Sequence, residues 1–259
     1  IIALGASEKL LEEFQNCKKY DMEGNFILPG LTDAHIHLQE YGISLQKVDC
    51  DTDTRQECIE RVAVKVKDSK PGEWILGHGW NQNNWIEEFG TSGMLDAVAP
   101  MNPVYLTAKS LHAAWVNQSA LELAGINSSS ADPENGRISR DDHGKPTGIL
   151  LEEAMDLVDS FIPQPDIESL VKILKKTQLE LWKVGLTGVH DFDRKLCFSA
   201  LQKLRSQGEL GLRVLKSFPL EDLSSVIGIG LQSGFGDEFL RIGPLKLFAD
   251  GALGPHTAA

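Results

Sequence analysis

A chain of 259 residues, 42% hydrophobic and 24% charged, has the make-up of a globular protein large enough for one big domain or two smaller ones. Its net charge of -12 speaks against nucleic acid or an anionic membrane surface as partner, since both call for clustered Lys and Arg. No run of 18 apolar residues supplies a membrane-spanning helix, and Cys17, Cys50, Cys58 and Cys197 lie scattered without a CxxC pair, as free thiols of a cytoplasmic protein would.

The first stretch, "IIALGASEKLLEEF", reads as the end of a strand followed by a short helix. It has neither the charged start nor the long apolar centre of a signal peptide. A start without Met and a stop at "GALGPHTAA" are what a fragment of a longer protein would show. Residues 1–29 read as short strands around the helix, with a turn at Glu23-Gly24-Asn25 and a break at Pro29-Gly30. That suits part of a small β-domain. "GLTDAHIHLQEYG" then predicts a strand with Asp33, His35 and His37 on one face and Ala34, Ile36 and Leu38 on the other.

A long region follows, roughly 39–164. "TRQECIERVAVKVKDS" predicts a helix ended by Pro71-Gly72, and "EWILGHGW" and "NPVYLTAKS" predict strands. "HAAWVNQSALELAGI" reads as a helix stopped by Gly125, and "GRISRDDHGKPTGIL" as a hairpin turning at Asp142-His143-Gly144. Trp74, Trp80, Trp85 and Trp115 all fall here, as core residues or as an aromatic pocket wall. From 165 the pattern alternates helix and strand. "PDIESLVKILKKTQLELWKVG" has Asp166 as cap, the stripe Ile167, Leu170, Val171 and Leu174, and Gly185 after its end. The strand "LTGVHDF", the helix "LCFSALQKLRSQG", the strand "LGLRVLKSFP", a helical start in "LEDLSSVIGIGLQSG" and the strand "LRIGPLKLFADG" follow. This order implies a parallel sheet and an α/β fold.

Two imidazoles on one strand face can hold a divalent metal at about 2.0–2.1 Å per nitrogen, or can simply pack as strand histidines. Asp33 is placed to orient one of them. Lys246 in "PLKLFADG" would share a face with Phe248 and Asp250. A lysine inside a sheet covered by helices either snorkels, pairs with Asp250, or is a desolvated amine able to take up carbon dioxide as a carbamate. One of His190 and Asp191 faces inward, and periodicity does not say which. His78 and His112 line a pocket or hold the long region together. His143 carries no assignment. The motifs GxxxxGK[ST], GxGxxG, GxSxG and HExxH are missing, which removes the common nucleotide, serine-hydrolase and metalloprotease readings.

"DMEGNFILPGLTDAHIHL" resembles the entry to the amidohydrolase superfamily. With "GHGWNQNNW", "LHAAWVNQSAL", "GLTGVHDF" and "LKLFADGALGPHTAA" it resembles the YtcJ-like branch of that superfamily over essentially the whole chain. The resemblance implies a (β/α)8 TIM barrel with a small β-sandwich domain, present here as about its first half. Residues 1–29 would belong to the sandwich and 30–259 to the barrel, with the insertion at about 39–164 as a lid. His35, His37 and Lys246 would be metal ligands, the last as a carbamate bridging two zinc ions. Trp80, His112, Trp115, Asp250 and His256 would meet the substrate, a small-molecule amide. The remaining histidine ligands and the catalytic Asp would lie beyond Ala259. The resemblance allows a homodimer. A catalytically silent barrel serving as a binding or regulatory subunit, or a mononuclear site with Lys246 unmodified, are the other readings.

Overall fold

The computed structural model describes residues 2–86 and 89–248. Helix α1 (Ser7–Glu13) buries no residue. The turn expected near Gly24 is present, with Asn25 N–H donating to the Met22 carbonyl at 2.8 Å and Glu23 and Gly24 both at positive φ. No strand forms among the described residues before Leu31, although 1–29 were expected to hold short ones. A strand is defined by its partner, and the runs flanking this turn have none among the described residues.

Strand β1 (Leu31–Ile36) leads into α2 (Leu38–Ser44). The long region then builds its own layer from β2 (Val48–Asp49), α3 (Arg55–Lys67), β3 (Ile75–Trp80), α4 (Ser92–Asp96), β4 (Val104–Ala108), β5 (Ala113–Val116), α5 (Gln118–Leu123), β6 (Gly136–Arg140), β7 (Pro146–Glu152) and α6 (Asp156–Asp159). Its six strands lie in the order β2-β3-β4-β5-β7-β6. The pairs from β2 to β4 are parallel, and the rest are antiparallel. "HAAWV" is therefore strand β5 rather than the start of a helix. Asn117 separates it from α5 and caps that helix, its side chain accepting the N–H of Ala120.

Helices cover both faces of this sheet, so its strands are apolar on both sides. Val104, Leu106, Ala113 and Trp115 pack with Cys58, Val62 and Leu95 on one face. Tyr105, Ala114 and Val116 pack with Leu121 and Val158 on the other. The indole N–H groups of Trp80, Trp85 and Trp115 each reach a backbone carbonyl, of Leu106, Thr52 and Thr91 respectively. Trp80 and Trp115 are thus satisfied core residues of the insertion, at 1% and 0% exposure.

The second sheet runs β1-β8-β9-β10, all parallel: β8 (Leu186–Asp191), β9 (Arg213–Pro219) and β10 (Leu240–Lys246). Between them lie α7 (Ile167–Lys183) before β8, α8 (Lys195–Ser206) before β9, and α9 (Leu223–Gly228) before β10. The Asp166 side chain caps α7 by accepting the N–H of Ser169 at 2.7 Å. Leu170, Val171, Leu174 and Leu181 of α7 meet Cys197, Ala200, Leu201 and Leu204 of α8 over Val189 and Val214. Ile167, expected in the buried stripe, stays 39% exposed at the first turn. Leu38 of α2 joins this core. At Gly42 an added Cβ would run into Thr177 and Ile173 of α7, so α2 lies too close for any side chain there.

Truncating Trp115 to alanine should cost about 3–5 kcal/mol of stability, read by urea denaturation, because it empties the centre of the insertion's core. Trp115→Phe should keep most of it. A loss of turnover from Trp115→Phe at unchanged stability would instead put the ring against substrate.

Candidate metal centre

In a parallel α/β sheet the loops leaving the carboxyl ends of the strands converge, while helices close the faces. Here that edge carries His35 near the end of β1 and His37 just after it, Asp191 at the end of β8 and Asp193 beyond it, Lys216 and Ser217 within β9, and Lys246 at the end of β10.

The imidazoles of His35 and His37 stand with ring centres 5.7 Å apart and planes tilted by 49°. The register of β1 against β8 slips between Asp33 and Ile36, so a bulge interrupts the simple alternation. Asp33 does not orient an imidazole. Its Oδ1 accepts the backbone N–H of His35 at 2.9 Å. The carboxylate that meets a ring is Asp193, whose Oδ1 lies 3.1 Å from Nδ1 of His37. Its Oδ2 accepts the backbone N–H of Gln39. Asp193 is 5% exposed, while the His37 side chain is 53% exposed. Burial first, and the neighbouring charge of Asp191 second, push the Asp193 carboxyl up to about 6, against the pull of the bonds from Gln39 and His37.

Asp191 answers the question of which residue of "VHD" turns inward. It is fully buried. Its Oδ1 accepts the N–H of Leu38 at 3.0 Å, and its Oδ2 lies 3.0 Å from Nζ of Lys216, itself 1% exposed. His190, half-buried, lines a cleft of about 470 Å³ with Thr32, Arg213 and Arg241. Lys216 also donates to the carbonyls of Asp193 and Ser217. Ligand-capable atoms of Asp191, Asp193 and Cys197 fall within 4.8 Å of one another. That trio suits no added cation. The Lys216 ammonium is already the cation there, and burial together with the two carboxylates pushes the Cys197 thiol up, keeping it protonated.

Lys246 is half-buried, not sealed in as the desolvated-amine reading supposes. Its Nζ lies 5.3 Å from the ring centre of Phe192 and 4.9 Å from that of Phe248. The His35 ring lies 4.2 Å from the same Phe192. His35 and Lys246 are therefore no farther apart than those two contacts laid end to end. Among the described residues Lys246 meets no carboxylate. Asp250 and His256 lie outside the described residues.

His112 sits in the insertion. Its Nδ1 is 2.9 Å from Glu152 Oε2, and both residues line a cleft of about 510 Å³ that neither Trp80 nor Trp115 borders. His78 bonds Thr107 at 2.9 Å. Sequence reasoning missed Asp193, Phe192 and Lys216. The last had the same signal as Lys246, a lysine inside an apolar strand, in "LRVLKSFP".

A helix-covered parallel sheet gathering imidazoles, carboxylates and amines at its carboxyl edge defines an α/β protein on the plan of the metal-dependent hydrolases. The chain belongs to the amidohydrolase family, whose pattern residues 18–259 match, and within it to the YtcJ-like branch. It is 30% identical to the putative amidohydrolase YtcJ of Bacillus subtilis, over 98% of this chain and 49% of that protein. It is 36% identical to the N-substituted formamide deformylase of Arthrobacter pascens, over 66% of this chain and 33% of the enzyme. The crystal structure of an uncharacterized metal-dependent hydrolase from Pyrococcus furiosus matches 98% of this chain and 51% of its own, at a TM-score of 0.73 and 27% identity. The chain thus spans about half the length of these relatives or less. No helix among the described residues is long and apolar enough to cross a membrane.

Lys216→Met should destabilise the protein by about 3–5 kcal/mol in urea unfolding, because it leaves Asp191 charged and buried without its partner. Replacing both, as Lys216→Met with Asp191→Leu, should recover much of that loss. An unchanged midpoint for Lys216→Met would show that the pair is solvated.

Proposed function

We propose that this chain forms the first half of a (β/α)8 metal-dependent hydrolase that cleaves the C–N bond of a small amide or formamide. The observation that carries this reading is the imidazole pair at the carboxyl edge. The rings of His35 and His37 lie 5.7 Å apart there, and among the described residues a carboxylate meets His37 at Nδ1 alone. With Asp193 ionised, Nδ1–H donates to it and Nε2 keeps its lone pair, which is the state a metal ligand needs. The donor set fits a divalent ion such as zinc.

The surroundings of Lys216 and Lys246 favour Lys246 as the third ligand. Lys216 is held as an ammonium by Asp191 and two carbonyls. A carbamate there would bring a negative charge beside two buried carboxylates. Lys246 has aromatic neighbours and, among the described residues, no carboxylate partner. Its amine, after losing one proton, can attack carbon dioxide: the N–C bond forms as a C–O π pair moves onto oxygen, and loss of a second proton from nitrogen to solvent leaves an anionic carbamate with two oxygen donors. Divalent ions bound by this set would polarise the substrate carbonyl and lower the pKa of the attacking water. His35 and His37 would fix their position, and Phe192, touching both His35 and Lys246, would keep that side apolar. The β-sandwich and the cytoplasmic setting belong to the same reading.

The full-length protein should carry about two zinc per chain by plasma mass spectrometry after gentle purification, and His35→Ala with His37→Ala should bring that near zero. Chelation should abolish hydrolysis of a panel of N-formyl and N-acyl amines, and zinc should restore it. Absence of metal and of turnover in the unaltered protein would defeat the hydrolase reading and leave a silent barrel.

A further inference from the structure

The geometry points to Asp193 as the positioning residue that sets the tautomer and orientation of His37, anchored in turn by Lys216. This rests on the reading of His37 as a ligand. Asp193 divides its oxygens between the ring of His37 and the backbone N–H of Gln39, two residues further on. One carboxylate thus grips a side chain and the main chain just after it. Asp191 takes the N–H of Leu38 in between. Three consecutive residues, 37 to 39, are held by two carboxylates from the end of β8. They also do the work of a cap for α2, whose first residues have no side-chain cap of their own.

A neutral imidazole can place its proton on either nitrogen, and the hydrogen bond at one nitrogen decides which. A carboxylate at Nδ1 holds the proton there and leaves Nε2 with its lone pair. His35 has no such clamp. Its ring meets Phe192 and His37, and among the described residues no carboxylate contacts it. The two imidazoles are therefore unequal before any metal arrives. His37 is pre-set and His35 adapts. Lys216 fixes the clamp from behind by donating to the main-chain carbonyl of Asp193 while its charge answers Asp191.

Long-range proton–nitrogen spectra of the metal-free, full-length protein test this. In the unaltered protein His37 should be protonated on Nδ1. In Asp193→Ala it should shift toward protonation on Nε2, with the His35 signals unmoved, and zinc affinity should fall about 10- to 100-fold. If Asp193→Ala does not fold by circular dichroism, Asp193→Asn decides. It can keep only one of the two bonds, so a loss of affinity of about tenfold or more is expected. An unmoved His37 spectrum, or unchanged zinc affinity in a protein whose binding is abolished by His37→Ala, would overturn the inference and leave the hydrolase reading standing. If His37→Ala leaves zinc binding intact, the ligand reading of His37 fails, and the spectra alone decide the role of Asp193.

Discussion

The ammonium of Lys216 lies in the protein interior with Asp191 as its counter-ion, and the carboxyl edge of the sheet is arranged around that pair. Either charge alone would be prohibitive in such surroundings. Together they are satisfied. Lys216 comes from β9 and Asp191 from β8, and the second oxygen of Asp191 reaches the first residue of α2, just after β1. A single pair thus joins three strands where the candidate ligands leave the sheet. Buried pairs add little to net stability compared with apolar replacements of the same shape. What this one contributes is register. It ties the first residue of α2, just after β1, to the end of β8.

The insertion answers to different constraints. Its sheet is covered on both faces by its own helices, with one core around Trp115 and another around Leu121 and Val158. The core under the four-stranded sheet is built separately, from α7, α8 and the inner faces of β8 and β9. Changes of loop or side chain in the insertion therefore need not disturb the strand ends that carry His35 and Lys246. That separation suits a fold in which one set of elements holds chemistry fixed and another is free to vary.

How much of this was legible in the sequence follows from which forces are local. The helix around Leu170 and Leu174, its Asp166 cap and its Gly185 stop rest on neighbours within a turn or two, so pattern alone recovers them. The parallel order of β8, β9 and β10 follows from the alternation of strands and helices. "HAAWV" was misread because Ala, Trp and Val at that spacing suit a helix as well as a strand buried on both faces, and only pairing with β4 and β7 settles it. Asp33 was expected to do what Asp193 does because strand alternation carries no information about a bulge. The partner of His37 comes from 156 residues away in the chain, and no local pattern shows that distance closing.

The two lysines of the parallel sheet show why residue type cannot assign a role. Lys216 sits at the middle of β9 and Lys246 at the end of β10, in the same sheet. Lys216 meets Asp191 and two carbonyls, all of which favour the charged amine. Lys246 meets the faces of Phe192 and Phe248, which attract a cation but bring no formal charge to balance it. A carbamate at 216 would set a negative charge beside the buried Asp191 carboxylate. The chemistry proposed for this edge needs one lysine locked as a structural cation and another left reactive. Asp191 and the main chain of Asp193 stand against the first, and aromatic rings against the second.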